Sequence, residues 1–348
     1  MAFDSSLQLP RERTLFKLGA VFSGLAWTAL VVSIVGLLYG ALIGLFVLAA
    51  RALFLAHVRG NGVRVSERQL PEVHASVKAA AERLGLDGAP EVYVVQGGGA
   101  LNAFATRLFS RRFVILLSDL LDQCQDPRQL DFLVGHEVGH LAAGHLRWST
   151  FLLPFHLVPW LGAAYSRARE YTADRCGLRV AGDLEQAARA LLVLAAGGRV
   201  ASRADLGAFT AQHSETGGFW MAALELSATH PYLCKRVVAL QQVSQAQASA
   251  GVRRHPLAWL VSPVVGGLAG GPAAAPLFAV AMIGILAAIA IPNFLRYQER
   301  ARHGGQAAAV GEASAAGITA EERASLEWVK QVRLQIEQRE RQNAKRAR

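Results

Sequence analysis

Hydrophobic and polar positions along the chain fall into distinct regimes. From Leu18 through Ala50 no charged residue occurs, and apolar character resumes from Ala52 to Ala56 after Arg51. At about 1.5 Å per residue this run exceeds one bilayer crossing, which needs roughly 20 residues. It fits either one long tilted span or a tight helical hairpin breaking near Gly36 to Gly40, and the hairpin is the stronger expectation. A secretory signal peptide fits less well, because the run outlasts an h-region and no small-residue cleavage site follows it.

Between about residues 58 and 250 the pattern is that of an ordinary globular domain. Leu70 to Leu84 has helical periodicity, Glu91 to Val95 and Arg112 to Leu117 read as strands, and Gly97-Gly98-Gly99 marks a turn into Leu101 to Thr106. Asp126 is a suitable N-cap, Pro127 suits the first helical position, and Gln129 completes a capping-box-like arrangement. Asp183 and Gln186 open a further helix that ends at Gly197-Gly198. A second uncharged stretch, His255 to Leu295, is rich in Gly and Pro at first and strongly apolar from Leu277 to Ile291, which predicts one span over 276 to 295. A Gly/Ala linker then leads to a charged helix capped by Thr319 with Glu322 reaching back. Its narrow stripe of Leu326, Val329, Val332 and Ile336 suits a solvated or membrane-surface helix and is short for a coiled coil. The expected organisation is a membrane anchor at 1–57, a globular domain at 58–250, a Gly/Pro-rich apolar segment and span at 251–295, and a linker with charged helix at 296–348. The fold class is mainly α (α+β), with a small β-sheet and transmembrane helices at both ends.

Composition agrees with a membrane location, since 52% of the residues are hydrophobic. The 36 Lys plus Arg outnumber the 26 Asp plus Glu, for a net charge of +10. Much of that charge flanks the apolar runs, where basic residues face anionic lipid, and no nucleic-acid signature accompanies it. The partner expected of this charge is therefore a bilayer, not nucleic acid. Arg11, Arg13, Lys17, Arg59 and Arg64 put the N-terminus and globular domain of a hairpin-anchored, multi-pass protein on the cytoplasmic side of the cell (inner) membrane. Cys124, Cys176 and Cys234 are odd in number and widely spaced, which argues against a disulfide framework or a Cys-based zinc site.

The chemistry lies in His136-Glu137-Val138-Gly139-His140. On a helix the two imidazoles project from one face and can share a metal ion, while Glu137 can take a proton from water at the metal. Zinc suits such a site: it is redox-inert, accepts nitrogen and oxygen tetrahedrally, and lowers the pKa of bound water to roughly 7. The third ligand could be His145, Glu170 or His230. His145 follows His140 by five residues, without the spacing and helix-breaking Gly of the extended three-histidine pattern. Glu170 is the better candidate, because Glu170 and Asp174 share a helical face, so one carboxylate can ligate while the other orients a ligand histidine.

These pieces together resemble the integral-membrane zinc metalloproteases of metallopeptidase family forty-eight, which includes the HtpX heat-shock protease and the CAAX prenyl endopeptidase. The matching segments are Leu101-Asn102-Ala103-Phe104-Ala105, His136 to His140 with Gly144-His145 behind it, Ser166 to Asp174, and Thr229-His230-Pro231 with Arg236. The resemblance spans roughly residues 58 to 245. It implies a gluzincin-like domain holding one Zn2+ through His136, His140 and Glu170. Glu137 would be general base and later proton donor, His230 would stabilise the oxyanion, and Asp174 and Arg236 would support the ligands. It further implies that Asn102, Ala103 and Phe104 bind substrate as an added strand. The apolar stretch Thr150 to Tyr165, with Pro154 and Pro159 inside, is short for a crossing and suits a membrane-dipping hairpin or a wall of the substrate site.

A second, shorter resemblance lies at Ile283 to Phe294, which is similar to the N-terminal hydrophobic helix of type IV pilins. The leader-processing region that should precede it, Gly270 to Ala275, lacks the expected aromatic and acidic residues. The expectation is a zinc metalloendopeptidase whose polypeptide substrates are membrane or membrane-proximal proteins, with a role in protein quality control. The alternative is a catalytically idle, zinc-containing scaffold associated with pilus-like components.

Overall fold

The structure, a computed structural model, describes residues 2–245, 252–268, 292–298 and 319–346. It divides into two compact units, Met1–Phe278 and Ala279–Arg348. The span expected at 276–295 and the pilin-like segment lie outside the described residues except for their last few positions.

The first unit opens with two apolar helices, α1 (Pro10–Val32) and α2 (Ile34–Asn61). The chain breaks between them at Ser33, not at Gly36 to Gly40. Ser33 is extended (φ −86°, ψ 116°) and its hydroxyl accepts from the Gly36 amide, so it ends one helix and caps the next. The two glycines lie inside α2, where a Cβ on Gly36 would come within 2.9 Å of the Leu30 carbonyl and one on Gly40 within 3.0 Å of the Leu30 side chain. They bring the helices close; the serine makes the turn.

A four-stranded sheet follows, from β1 (Val63–Arg64), β2 (Glu91–Val95), β3 (Ala103–Leu108) and β4 (Arg111–Leu117), with α3 (Pro71–Arg83) between β1 and β2. The order is β1-β2-β4-β3, with β2 and β4 parallel and the outer pairs antiparallel, so β3 is an edge strand. Alternation along the strands explains both faces. Val92, Val94, Val114 and Leu116 pack on α3 and on the helices α5 (Pro127–Ala142) and α7 (Leu161–Ala181), whereas Tyr93, Phe113 and Ile115 meet Leu55 and Val58 at the end of α2. The last turns of α2 thus belong to the folded domain.

Short α4 (Ser118–Gln123) leads to α5, whose start follows the sequence signal: the Asp126 side chain accepts from the Arg128 amide at 2.7 Å, with Pro127 in the first turn. Gln129, however, reaches back to the Gln125 amide (3.0 Å), one residue beyond the cap. Between α5 and α7 lies α6 (Leu153–His156), where Leu152 and Phe155 are buried with Tyr165 against Leu15 and Phe16 of α1. The stretch from 150 to 165 is therefore a wall packed on α1, interrupted by a turn at Trp160 (φ +60°) that starts α7.

Helix α8 (Leu184–Ala196), capped by Asp183, packs with α5 and with α12 (Leu233–Ser244) around Phe132, Leu133, Leu191, Val237 and Leu240. Helices α9 (Gly198–Ala201), α10 (Leu206–Ala211) and a 3-10 turn (Gln212–Gly217) connect α8 to α11 (Phe219–Ser227). Residues 258–268, expected as part of a Gly/Pro-rich segment, form α13 (Ala258–Leu268), which packs Ala258, Val261 and Val265 on Ala222, Ala223 and Leu226 of α11. In the second unit the charged helix Ala320–Arg346 carries the expected cap: the Thr319 hydroxyl accepts from the Glu322 amide, and the Glu322 carboxylate from the Thr319 amide at 2.9 Å.

Candidate metal centre

Helix α5 carries His136 and His140 one turn apart, and α7 carries Glu170 and Asp174 with the same spacing. What lets the two helices approach is a row of small residues. A Cβ on Gly135 would lie 2.7 Å from Val180 Cβ, one on Gly139 2.6 Å from Cys176 Cβ, and one on Gly177 2.7 Å from the Phe132 carbonyl. The glycine inside the His-Glu-Val-Gly-His segment is thus a packing requirement of the crossing that brings Glu170 to the histidines.

At that crossing His136 Nε2 and His140 Nε2 are 3.3 Å apart, and the Glu170 carboxylate lies 3.5 Å from the first and 3.4 Å from the second. One donor atom from each residue falls within 4.8 Å of the others, so the three can hold a metal ion. The remaining ring nitrogens are engaged. His136 Nδ1 faces Asp174 Oδ1 at 3.0 Å, and Asp174 accepts two bonds from Arg236 of α12, Nε at 2.8 Å and Nη2 at 2.6 Å. A third Arg236 nitrogen, Nη1, lies 3.7 Å from Glu170. His140 Nδ1 faces His145 Nδ1 at 2.8 Å, and His145 Nε2 faces the Glu12 carboxylate at 3.1 Å.

The electrostatics match that architecture. Burial works to raise the Glu170 carboxyl, but hydrogen bonds with His136 and His140 hold it well below the usual range. Burial also opposes ionisation of Asp174, yet the Arg236 guanidinium beside it keeps its pKa low. At His136, burial favours the neutral ring, while hydrogen bonds with Asp174 and Glu170 outweigh it and lift the pKa to about 10. Two buried carboxylates therefore favour positive charge at this point, a field that suits a divalent cation among two imidazoles and one carboxylate. His145 differs: burial drives its pKa down to about 4 despite Glu12, leaving a neutral ring.

Not every expected residue converges. Glu137 is buried beside the pair at 8% exposure. His230 brings Nε2 to 3.6 Å from Glu170, with two thirds of its side chain exposed (67%), and its Nδ1 pairs with the Thr229 hydroxyl at 3.0 Å. Asn102 folds its side chain onto the Ala103 amide (2.9 Å), and its carbonyl accepts from the Leu117 amide. Ala103 packs into the core and Phe104 stacks on Phe54 of α2 with centroids 5.9 Å apart. Any substrate contact by this segment would use the backbone edge of β3.

Glu12 was not foreseen. It is 1% exposed and sits on α1, among Arg11, Arg13 and Lys17. A lone acid inside the basic flank of an apolar run was the available signal.

Two histidines a turn apart with a glutamate between them, a carboxylate from a crossing helix, and a carboxylate behind one imidazole are the donor arrangement expected of a metallopeptidase centre. The chain belongs to peptidase family M48: the sequence profile of that family matches residues 67–160 and 150–244, together more than half of the chain. It is 31% identical over 153 residues to the plastoglobule-localized metallopeptidase 48, chloroplastic, of Arabidopsis thaliana, a match covering 40% of this chain and 44% of that relative's length. The chain thus spans less than half of this relative. A likeness to the crystal structure of Ste24p from S. mikatae covers 59% of this chain and 57% of that one, at 15% identity and a TM-score of 0.43. Among the described residues two helices, Pro10–Val32 and Gly36–Asn61, are long and apolar enough to cross a membrane.

Proposed function

We propose that the protein is a membrane-bound zinc endopeptidase that hydrolyses membrane or membrane-proximal polypeptides. The observation that carries this reading is the convergence of His136 Nε2, His140 Nε2 and the Glu170 carboxylate within 4.8 Å, with both Nδ1 atoms engaged on the far side. Donors of that kind fit zinc, which takes imidazole and carboxylate and leaves a position open. Bound there, zinc would act as a Lewis acid toward the scissile carbonyl and make water acidic near neutral pH.

The protein groups divide the remaining work. Glu137 accepts the proton of the attacking water and returns it to the leaving amine. His230, the exposed group beside Glu170, donates to the oxyanion. Arg236 and Asp174 fix the ring of His136 so that its Nε2 faces inward. The open edge of β3 receives an extended peptide as an added strand. Helices α1 and α2 cross the bilayer as a pair, with the catalytic domain on the cytoplasmic side.

Replacing Glu137 by Gln is expected to preserve zinc content and reduce peptide cleavage by about 10²- to 10⁴-fold, the usual worth of a general base. Undiminished, chelator-sensitive proteolysis in that variant would overturn the mechanism. Zinc binding with no cleavage of casein or of an unfolded membrane protein by the wild-type chain would instead mark an idle scaffold.

A further inference from the structure

Glu12, a buried carboxylate that the proposed mechanism does not use, lies at the end of a hydrogen-bonded chain leading to the metal centre. Gln8 Nε2 donates to Glu12 Oε1 at 2.6 Å, and the Thr172 hydroxyl donates to Oε2. The Thr172 oxygen itself accepts from the Leu9 amide at 3.2 Å, which leaves its proton free for Glu12. The third neighbour is His145 Nε2 at 3.1 Å, both side chains being 1% exposed. A carboxylate surrounded by donors is an acceptor, so the His145 proton sits on Nε2 and its Nδ1 carries a lone pair. Across 2.8 Å that lone pair meets His140 Nδ1, which must therefore hold the proton. His140 Nε2 is then left with its lone pair toward His136 and Glu170.

We infer that Glu12 is a positioning residue of the metal centre: acting through His145, it fixes the tautomer and orientation in which His140 ligates. This rests on the zinc-peptidase reading above. It gives the two ligand imidazoles matching support, Asp174 directly behind His136 and Glu12 through one further ring behind His140. It also makes α1 part of the metal centre as well as an anchor. Trp27 Nε1 bonded to the Phe151 carbonyl at 2.8 Å, and Phe155 packed where Gly19 lacks a side chain, hold that helix in register.

The test uses the full-length protein in detergent and reads three quantities: zinc affinity by chelator competition, the visible spectrum of the cobalt(II)-loaded protein, and the melting temperature of the metal-free protein. Glu12→Ala and His145→Ala are each expected to weaken zinc binding by about 10- to 100-fold and to shift the cobalt bands. The double variant should lose no more than the worse single one, because both act through one chain. His145→Gln should restore near wild-type affinity, since its amide oxygen can accept from His140 while its NH2 donates to Glu12. Should Glu12→Ala fail to fold, Glu12→Asp, which keeps the charge but withdraws it from His145, gives the same comparison with a smaller loss. A lowered metal-free melting temperature with unchanged zinc affinity and cobalt spectrum would reduce Glu12 to a helix-docking contact and overturn the inference, as would additive losses in the double variant. A wild-type chain that binds no zinc would overturn the peptidase reading first and this inference with it; a wild-type chain that binds zinc no better than Glu12→Ala would overturn this inference alone.

Discussion

Glu225 on α11 sits between two cations, Lys235 Nζ at 2.7 Å and Arg254 Nε at 3.0 Å. Burial pushes its carboxyl up, but the Lys235 hydrogen bond and the charge of Arg254 leave it below its ordinary 4.5. A group that ionises more readily folded than unfolded adds stability above its unfolded pKa and loses it as pH falls through the lowered folded value. The melting temperature should therefore fall as pH drops from about 5 toward 3, and Glu225→Gln should flatten that dependence over the same interval. A slope unchanged in the variant would place the acid sensitivity elsewhere. Residues of this kind divide by sequence distance. His136 with His140, and Glu170 with Asp174, were legible as pairs one helical turn apart. Glu12 was not, because its partners lie 133 and 160 residues away, and a fold, not a period, brings them together.

At the scale of elements, the crossing of α5 and α7 decides whether the ligands meet. Gly139→Val should overfill the contact with Cys176, cost about 1–3 kcal/mol, and weaken zinc binding as Glu170 is pushed from the imidazoles. Denaturant unfolding and chelator competition check the two effects separately. Full stability and full affinity would show that the glycine is not needed for close approach. Most elements could be read from the chain because their ends carry local signals: Asp126, Asp183 and Thr319 cap helices, and alternation marks β2 and β4. The places where the structure differs from or adds to the sequence pattern lack such signals. Gln129 chose the amide beyond the cap, Ser33 outcompeted two glycines as the hairpin break, and α13 forms because α11 offers it an apolar face.

For the whole molecule, the apolar runs predict an anchor, and the structure adds that each of the two apolar helices has one end packed into the folded domain. Leu15 and Phe16 of α1 pack against Leu152 and Phe155, and Leu55 and Val58 of α2 cover one face of the sheet. If both cross the bilayer, the N-terminus and the catalytic domain share a side. Tags at the N-terminus and in the exposed α8–α10 region should then be cleaved or protected together when sealed vesicles are treated with protease. Opposite accessibility would mean a single crossing.

The contact between Arg236 and Asp174 also sets when the proposed centre can be complete. The proposed ligands lie on α5 and α7, whereas Arg236 of α12 lies 100 residues beyond His136. A nascent chain that has already emerged through α7 holds both histidines and Glu170 but not the guanidinium that secures Asp174. The proposed centre is thus completed only after α12 has been made and packed onto α7, so its ligands exist before their support does.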